Sequence, residues 1–326
     1  MRLLVTGGAG FIGSHFVLRH VERFPLDHVV VLDALTHPGD LAYLASVKNN
    51  FTFVHGDITD LPLLRRILSE EVIDTVVDFA AESHVGSSIE DAMPHVHTNV
   101  RGVYTLIEAC RSIHDLLFLH ISTDEVYGTR HPTEPPCTPD CPLHPGNPYA
   151  ATKAAGDLAL LSAMNTYGMR VRITRCTNNY GPHQADEKFF PIVIQNALKN
   201  KPIPLHGDGT HTRDWIYVTD HTDALECVLA HGRDGAIYHI SSNDEKRNID
   251  VARTILKILG KSESFLTFIE DRPGNDHRYD LDSSSTRALG WQPAVPFMDG
   301  IRRTIGWYTS ESPSPLENER LQYVHA

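Results

Sequence analysis

Short apolar runs recur along the chain, and most are followed by a stretch whose apolar residues return at helical spacing. The first run, Arg2-Leu3-Leu4-Val5-Thr6, leads through a glycine cluster into a helical stretch reaching about Arg23. Val29-Val30-Val31-Leu32 is a second strand, closed by Asp33. Phe51-Thr52-Phe53-Val54-His55 and Thr75-Val76-Val77-Asp78-Phe79 are the third and fourth. A long helix is expected from about Met93 to Arg111, and a buried strand over Leu116–Ile121. After a Pro-rich loop from His131 to Pro145, Asn147-Pro148 opens the next helix: Asn is a good cap, and Pro suits the first helical position. Strands alternating with helices imply a doubly wound parallel sheet. Farther on, Asn248 precedes the stripe Val251, Ile255, Ile258 and Leu259, which stops at Gly260; a cap is its simplest role. Phe297, Ile301, Ile305 and Tyr308 form a second stripe, expected in a core.

Composition narrows what such a sheet could serve. The 326 residues suffice for one large domain or two coupled ones, and 41% hydrophobic with 21% charged residues suits a globular protein. A net charge of −12 argues against nucleic acid or an anionic membrane as partner, while leaving room for an anionic small ligand in a locally basic pocket. No apolar run is long enough to span a bilayer, and the chain starts in a strand rather than a signal peptide. Five cysteines suit reduced thiols in a cytoplasm, so Cys137 and Cys141 are expected to be free. No metal is expected; His95 and His97 read as surface or packing residues.

The candidate chemistry sits where strands end. Gly7-Gly8-Ala9-Gly10-Phe11-Ile12-Gly13 joins a strand to a helix, which lets backbone approach a pyrophosphate stabilised by the helix N-terminus. Asp33 follows the last glycine by about twenty residues, the distance at which an acid takes ribose hydroxyls, and its charge favours NAD over NADP. Asp57-Ile58 is a plausible adenine edge, and Ala80-Ala81-Glu82-Ser83-His84 could let a cofactor lie close. Ser122-Thr123-Asp124-Glu125-Val126-Tyr127-Gly128 puts a hydroxyl, two carboxyls and a glycine turn at one strand end. Adjacent residues on a strand point to opposite faces, so Asp124 and Glu125 can serve one substrate only if the chain leaves the strand at Thr123. Tyr149 and Lys153 stand one helical turn apart, and the expectation is that the ammonium, with a cationic nicotinamide ring, lowers the phenol's pKa.

Together these blocks resemble the extended short-chain dehydrogenase/reductases, and within them the dTDP-glucose 4,6-dehydratases. The resemblance runs from Leu3 to about Tyr308 and also includes Asn178-Asn179-Tyr180-Gly181-Pro182, Glu187-Lys188, Arg213-Asp214-Trp215 and Asp271-Arg272-Pro273-Gly274. It implies a Rossmann-type sheet in an NAD-binding domain, residues 1–175. A smaller α/β nucleotide-sugar domain follows over residues 176–311, with interleaving allowed, then a polar tail over 312–326. It implies C4 oxidation by Tyr149 with Thr123 and Lys153, loss of water with Glu125 as base and Asp124 as acid, and hydride return to C6. Gly7, Gly10, Phe11, Ile12, Gly13, Asp33, Asp57, Ile58, Ala80, Ala81, Glu82, Thr98 and Asn179 would hold NAD. Ser83, Asn178, Lys188, Phe189, Pro204, His206, Arg213, Asn248, Arg272 and Asn275 would hold the substrate, Arg213 by a forked contact unless it pairs with Asp214 at the surface. The helices near 93–111 and 147–165 would form a homodimer through a four-helix bundle. Alternatives on the same fold are a nucleotide-sugar 4-epimerase or decarboxylase, or a non-catalytic NAD sensor. Three departures stand out: Gly86-Ser87 replaces a usual Asp-Arg, His206 a usual Tyr, and Asn275 a usual His. The last two lie on the nucleotide side and leave UDP-glucose or another nucleotide open.

Overall fold

The structure is a computed structural model and describes residues 1–36 and 39–310; the expected tail at 312–326 lies outside the described residues. Its strands are β1 Arg2–Thr6, β2 His28–Asp33, β3 Thr52–His55, β4 Thr75–Asp78, β5 Leu117–Thr123 and β6 Arg170–Cys176. They continue with β7 Asn178–Tyr180, β8 Ile203–His206, β9 Thr212–Tyr217, β10 Ile237–Ile240, β11 Glu245–Arg247 and β12 Leu266–Ile269. Seven of them form one parallel sheet in the order β10-β6-β5-β4-β1-β2-β3. β1, β2, β4 and β5 are largely apolar because helices cover both faces, whereas β6 also carries the buried Arg172 and Arg175. On one face, Phe16, Val17 and Val21 of the helix Phe11–Arg23 share a core with Ala224, Leu225 and Val228 of Val218–His231. On the other, Leu64, Leu106 and Leu160 pack from Leu61–Glu70, Val103–Cys110 and Pro148–Tyr167. Each side chain so buried contributes about 1.5–3 kcal/mol.

The chain reverses direction across the sheet between β1 and β4, and an open α/β sheet binds ligands at such a switch point. Beside it lie a three-stranded sheet, β11-β9-β7, and the parallel pair β12-β8, covered by helices Phe189–Leu198, Asn248–Ile258 and Phe297–Thr309. Ile255, Ile301 and Ile305 sit in this second core, as their stripes require. β10, late in sequence, returns to the edge of the large sheet beside β6, so the two halves interleave in space.

Three local expectations need correction. The helix after Met93 is not uniform, since Val96–Gly102 is wound as a π-helix between two α segments. Asn248 is the first helical residue rather than the cap, and its Oδ1 is buried without a hydrogen-bond partner. Cys137 and Cys141 are joined as a disulfide, which the sequence reading disfavoured; Cys110, Cys176 and Cys227 are free. The loop is tied on both sides of Cys137 to Asp280 and Asp282, which brings the pair together. Among the described residues no helix is long and apolar enough to cross a membrane.

Candidate active site

Three cavities join end to end along the carboxyl edge of the large sheet, and each strand end expected to carry chemistry opens into one of them. The first, of about 410 Å³, is lined by Gly7, Gly10, Asp33, Asp57, Ile58, Ala80, Ala81, Glu82 and Thr98. Gly7 has φ +65°, and a Cβ there would stand 2.7 Å from the Ala80 nitrogen, so only glycine fits. A Cβ on Gly13 would collide with the Gly7 carbonyl. Asp33 accepts the Ala9 and Leu35 amides at 2.9 and 2.8 Å, and burial lifts its carboxyl above the usual range. The π-helical turn puts Thr98 on this cavity and aims Asn99 at Glu82, whose amide it accepts and whose carbonyl it donates to, both at 2.9 Å. Such turns recur at functional sites. This cradle of close backbone and one carboxylate suits a dinucleotide with unphosphorylated ribose.

The second cavity, about 250 Å³, shares Gly7, Gly10, Ala81 and Ser83 with the first. It adds Phe11, Ile12, Gly13, Thr123, Asp124, Glu125, Tyr149, Lys153, Asn178 and Asn179. The chain leaves β5 at Thr123, still extended, and Asp124–Tyr127 form a single 3₁₀ turn closed by Gly128 at φ +68°. That exit lets neighbouring carboxyls face one space. Asp124 Oδ1 accepts from Thr123 Oγ1 at 3.2 Å, while Oδ2 is buried without a partner. Burial and the neighbouring Glu125 push the Asp124 carboxyl well above its ordinary pKa. Burial raises Glu125 too, but Arg213, Arg272, Lys188 and a 3.4 Å bond from Asn147 Nδ2 draw it back. Asn147 serves twice, since its Oδ1 caps the helix by accepting the Ala150 amide at 2.9 Å. The two adjacent acids are thereby raised unequally, Asp124 more strongly than Glu125.

Lys153 makes its hydrogen bonds to groups other than the Tyr149 phenol. Its Nζ donates to the Ile121 carbonyl at 2.8 Å and lies 3.4 Å from His120 Nε2. Burial, with Glu125 adding to it, holds the Tyr149 phenol well above its ordinary pKa; the Thr123 hydroxyl pulls the other way. In the protein's own field the phenol is therefore raised, not lowered, because a buried site disfavours a new negative charge beside two carboxyls. His95 packs as expected, edge-on to Tyr149 with ring centres 6.3 Å apart, and His97 is exposed.

The third cavity, about 210 Å³, continues from Ser83, Glu125, Asn178 and Asn179 to Lys188, Phe189, Pro204, His206, Arg213, Asn248, Arg272 and Asn275. Arg213 is buried and does not pair with Asp214. It donates to the carbonyls of Thr212, His277 and Asp276 and lies over the Tyr279 ring at 4.5 Å. Asp214 is occupied by the hydroxyls of Ser241 and Ser242. Lys188 Nζ donates to the Ser83 carbonyl at 2.7 Å. Asn178 Oδ1, Asn248 Oδ1, Arg272 Nε and Trp215 Nε1 are buried without partners, an arrangement native proteins tolerate where a ligand supplies the bond. Of the departures, Asn275 bridges Asp271 Oδ1 at 2.6 Å and Arg213 Nη2 at 3.4 Å, and His206 Nδ1 lies 3.3 Å from the Glu270 carbonyl. Ser87 turns inward to His84, donating to its carbonyl at 2.9 Å. Gln184, which sequence reasoning missed, lines both inner cavities, donates to the Asn179 carbonyl at 2.9 Å, and has Oε1 buried without a partner. No motif surrounds it; only the fold reveals it.

The geometry has counterparts. The family model described as GDP-mannose 4,6 dehydratase matches residues 4–304. The dTDP-glucose 4,6-dehydratase of Xanthomonas campestris is 46% identical, covering 94% of this chain and 92% of the relative. A Streptomyces venezuelae dTDP-glucose 4,6-dehydratase solved with NAD bound superposes with a TM-score of 0.90 at 46% identity, over 94% of this chain and 97% of that one. A Thermus thermophilus UDP-glucose 4-epimerase, solved with NAD, reaches 0.89 at 31% identity over 95% and 100%. The overall backbone thus does not separate dehydratase from epimerase, whereas identity does. This chain belongs to the GDP-mannose 4,6 dehydratase family of extended short-chain dehydrogenase/reductases, and within it to the dTDP-glucose 4,6-dehydratases.

Proposed function

We propose that this protein converts dTDP-glucose to the 4-keto-6-deoxy sugar and water, with NAD held through the cycle. The observation that carries this reading is the pair of neighbouring carboxyls, Asp124 and Glu125, facing the Tyr149 cavity with their proton affinities driven apart. The cavities from Asp33 to Lys153 would hold NAD, which would supply the hydride acceptor for C4 and the hydride donor for C6. Tyr149 takes the proton of the 4-hydroxyl, with Thr123 on the same oxygen. The C4 ketone acidifies the C5 proton, which Glu125 removes while Asp124 protonates the departing 6-hydroxyl. Glu125 then gives its proton back to C5. Over one cycle Tyr149 gains a proton and Asp124 loses one. The Thr123 hydroxyl, bonded to Asp124, lies on the route that restores both.

Ser83 and Asn178 flank the sugar, Asn179 faces the nicotinamide side, and the diphosphate lies toward Lys188, Arg213 and Arg272. Pro204, Phe189 and His206 receive the base, with Asn248 and Asn275 completing that end. This divides the work between residues 1–175 for the cofactor and 176–311 for the nucleotide. Exposed Met93, Tyr104, Leu158 and Tyr167 on the two outer helices support a homodimer built through a four-helix bundle. A cytoplasmic setting is supported by the three free cysteines, while the Cys137–Cys141 disulfide runs against it. The test is to incubate the protein with dTDP-glucose and read the alkaline absorbance of the 4-keto sugar, with UDP-glucose and other nucleotide glucoses alongside. The galactose isomer without loss of water would make it an epimerase, and no change with any of them would favour a non-catalytic sensor.

A further inference from the structure

A layer of buried charge lies between the large sheet and the helix Pro148–Tyr167. Thr6, Asp78 and His120 stand side by side at matching register on β1, β4 and β5. Thr6 Oγ1 donates to Asp78 Oδ1 at 2.6 Å, and His120 Nδ1 lies 2.8 Å from Asp78 Oδ2. His120 Nε2 lies 3.4 Å from Lys153 Nζ. Asp157, one turn beyond Lys153, has its Oδ2 taken by Arg175 Nε at 2.8 Å. All of these side chains are buried.

Two carboxylates and two cations balance only if the imidazole is neutral, since an added buried charge needs a partner. An ionised carboxylate is purely an acceptor, so His120 Nδ1 must carry the proton and Nε2 the lone pair. Lys153 is a pure donor and meets that lone pair. Asp157 gives Oδ2 to Arg175 and leaves Oδ1 without a hydrogen bond, 3.7 Å from His120 Nε2, so the Asp78–His120 pair is the anion-backed acceptor within hydrogen-bond reach of the ammonium, beside the Ile121 carbonyl. We propose that Asp78 and His120 are positioning residues of the hydride-transfer site: Asp78 fixes the His120 tautomer, and that tautomer holds the protonated Lys153 in place beside Tyr149.

The groups facing Lys153 are Asp78 from β4, His120 from β5, Cys176 from β6, and Tyr149 and Asp157 from its own helix. Burial lowers the Lys153 pKa, while Asp78 and Asp157 raise it. Replacing Asp78 by Asn removes one of those charges and presents an amide N–H to Nδ1. The ring then turns its own N–H toward the ammonium. Lys153 thus loses its proton at lower pH.

The proposal rests on the reading above only in taking Tyr149 and Lys153 to act in C4 oxidation. Its test uses the full-length, NAD-loaded protein with Asp78→Asn, His120→Asn and His120→Gln. Asn at 120 can still donate to Asp78 but does not reach Lys153, whereas Gln can present its carbonyl there. The first readout is ring-nitrogen NMR of His120, expected to show Nδ1 protonated and Nε2 bare in the parent, and the reverse in Asp78→Asn. The second is the pH dependence of reduced-nicotinamide absorbance in a single turnover, which needs neither Asp124 nor Glu125. Its alkaline limb should move down by about 1–2 pH units in Asp78→Asn and His120→Asn, with substrate affinity kept, and return toward the parent in His120→Gln. Should Asp78→Asn fail to fold, the two His120 variants decide. An Nε2-protonated parent ring, or alkaline limbs coinciding in all folded variants, would overturn the proposal. A parent that reduces its nicotinamide yet yields no deoxysugar would instead sink the dehydratase reading and leave this one tested.

Discussion

The cofactor side and the nucleotide side of the cleft are built by different means. On the cofactor side, backbone makes the site: Gly7 and Gly13 leave no room for a Cβ, and the strand ends at Thr6, Asp33, Asp78 and Thr123 are fixed by parallel register. On the nucleotide side, side chains from the helices beginning at Phe189 and Asn248, from β8 and β9, and from the loop at Arg272 converge on one cavity. Several of their polar atoms are buried without partners. A site made of backbone tolerates few substitutions at its turns and needs little from any one side chain. A site made of convergent side chains depends on each, and can change its ligand by exchanging one. On the proposed reading, exchanges at His206 and Asn275, which line this cavity, bear on the choice of nucleotide and leave the catalytic turn as it is.

The largest effect is expected at the turn between the two sides. Glu125→Gln keeps the shape but cannot take the C5 proton, so deoxysugar formation should fall about 10³-fold with NAD still bound. Full turnover would erase the distinction between the turn and its surroundings. Asp124→Asn should slow water loss by about 10²-fold or more, with reduced nicotinamide accumulating during a single turnover. Both carboxyls are raised above their ordinary range, Asp124 more strongly. The rate should therefore fall at low pH as Glu125 takes up a proton, and fall again at higher pH as Asp124 loses one. A profile whose acid limb lies in the ordinary carboxylate range or below would contradict the environment described.

Smaller effects sharpen the contrast between the two sides. Arg272→Leu removes a cation facing the nucleotide cavity and should raise KM about 10-fold or more with kcat little changed, the sign of binding felt equally in ground and transition states. Asp33→Asn should weaken NAD retention by about 10-fold, read as cofactor lost on dialysis, without altering nucleotide affinity. If Arg272→Leu lowered kcat instead, the nucleotide side would have to be part of the catalytic assembly.

The sequence reached these two regions unequally, for the same physical reason. Gly7 through Gly13, Asp33, Thr123 to Glu125 and Asn147 to Lys153 are short local patterns, because backbone geometry is written in neighbouring residues. Arg213 was legible as a cation but not as a buried one lying over Tyr279, since that requires β9 to meet a distant segment. Asn248 looked like a cap because caps precede stripes, yet its carbonyl instead stays buried and unpaired on the cavity. Gln184 and Asn99 carry no motif at all, and Asp78 and His120 become partners only when β4 and β5 lie in register. Lys153 was read from spacing as the tuner of Tyr149, but spacing cannot reveal that its ammonium is engaged by Ile121 and His120.

The central claim is that one hexose is oxidised, dehydrated and reduced without leaving the cavity shared by Tyr149, Asp124 and Glu125. The most direct measurement follows dTDP-glucose carrying deuterium at C4 through a complete turnover. The account predicts a 4-keto-6-deoxy product with the label on C6, and one water released for each sugar consumed. Label found back at C4 of a galactose isomer, with no water lost, would contradict it.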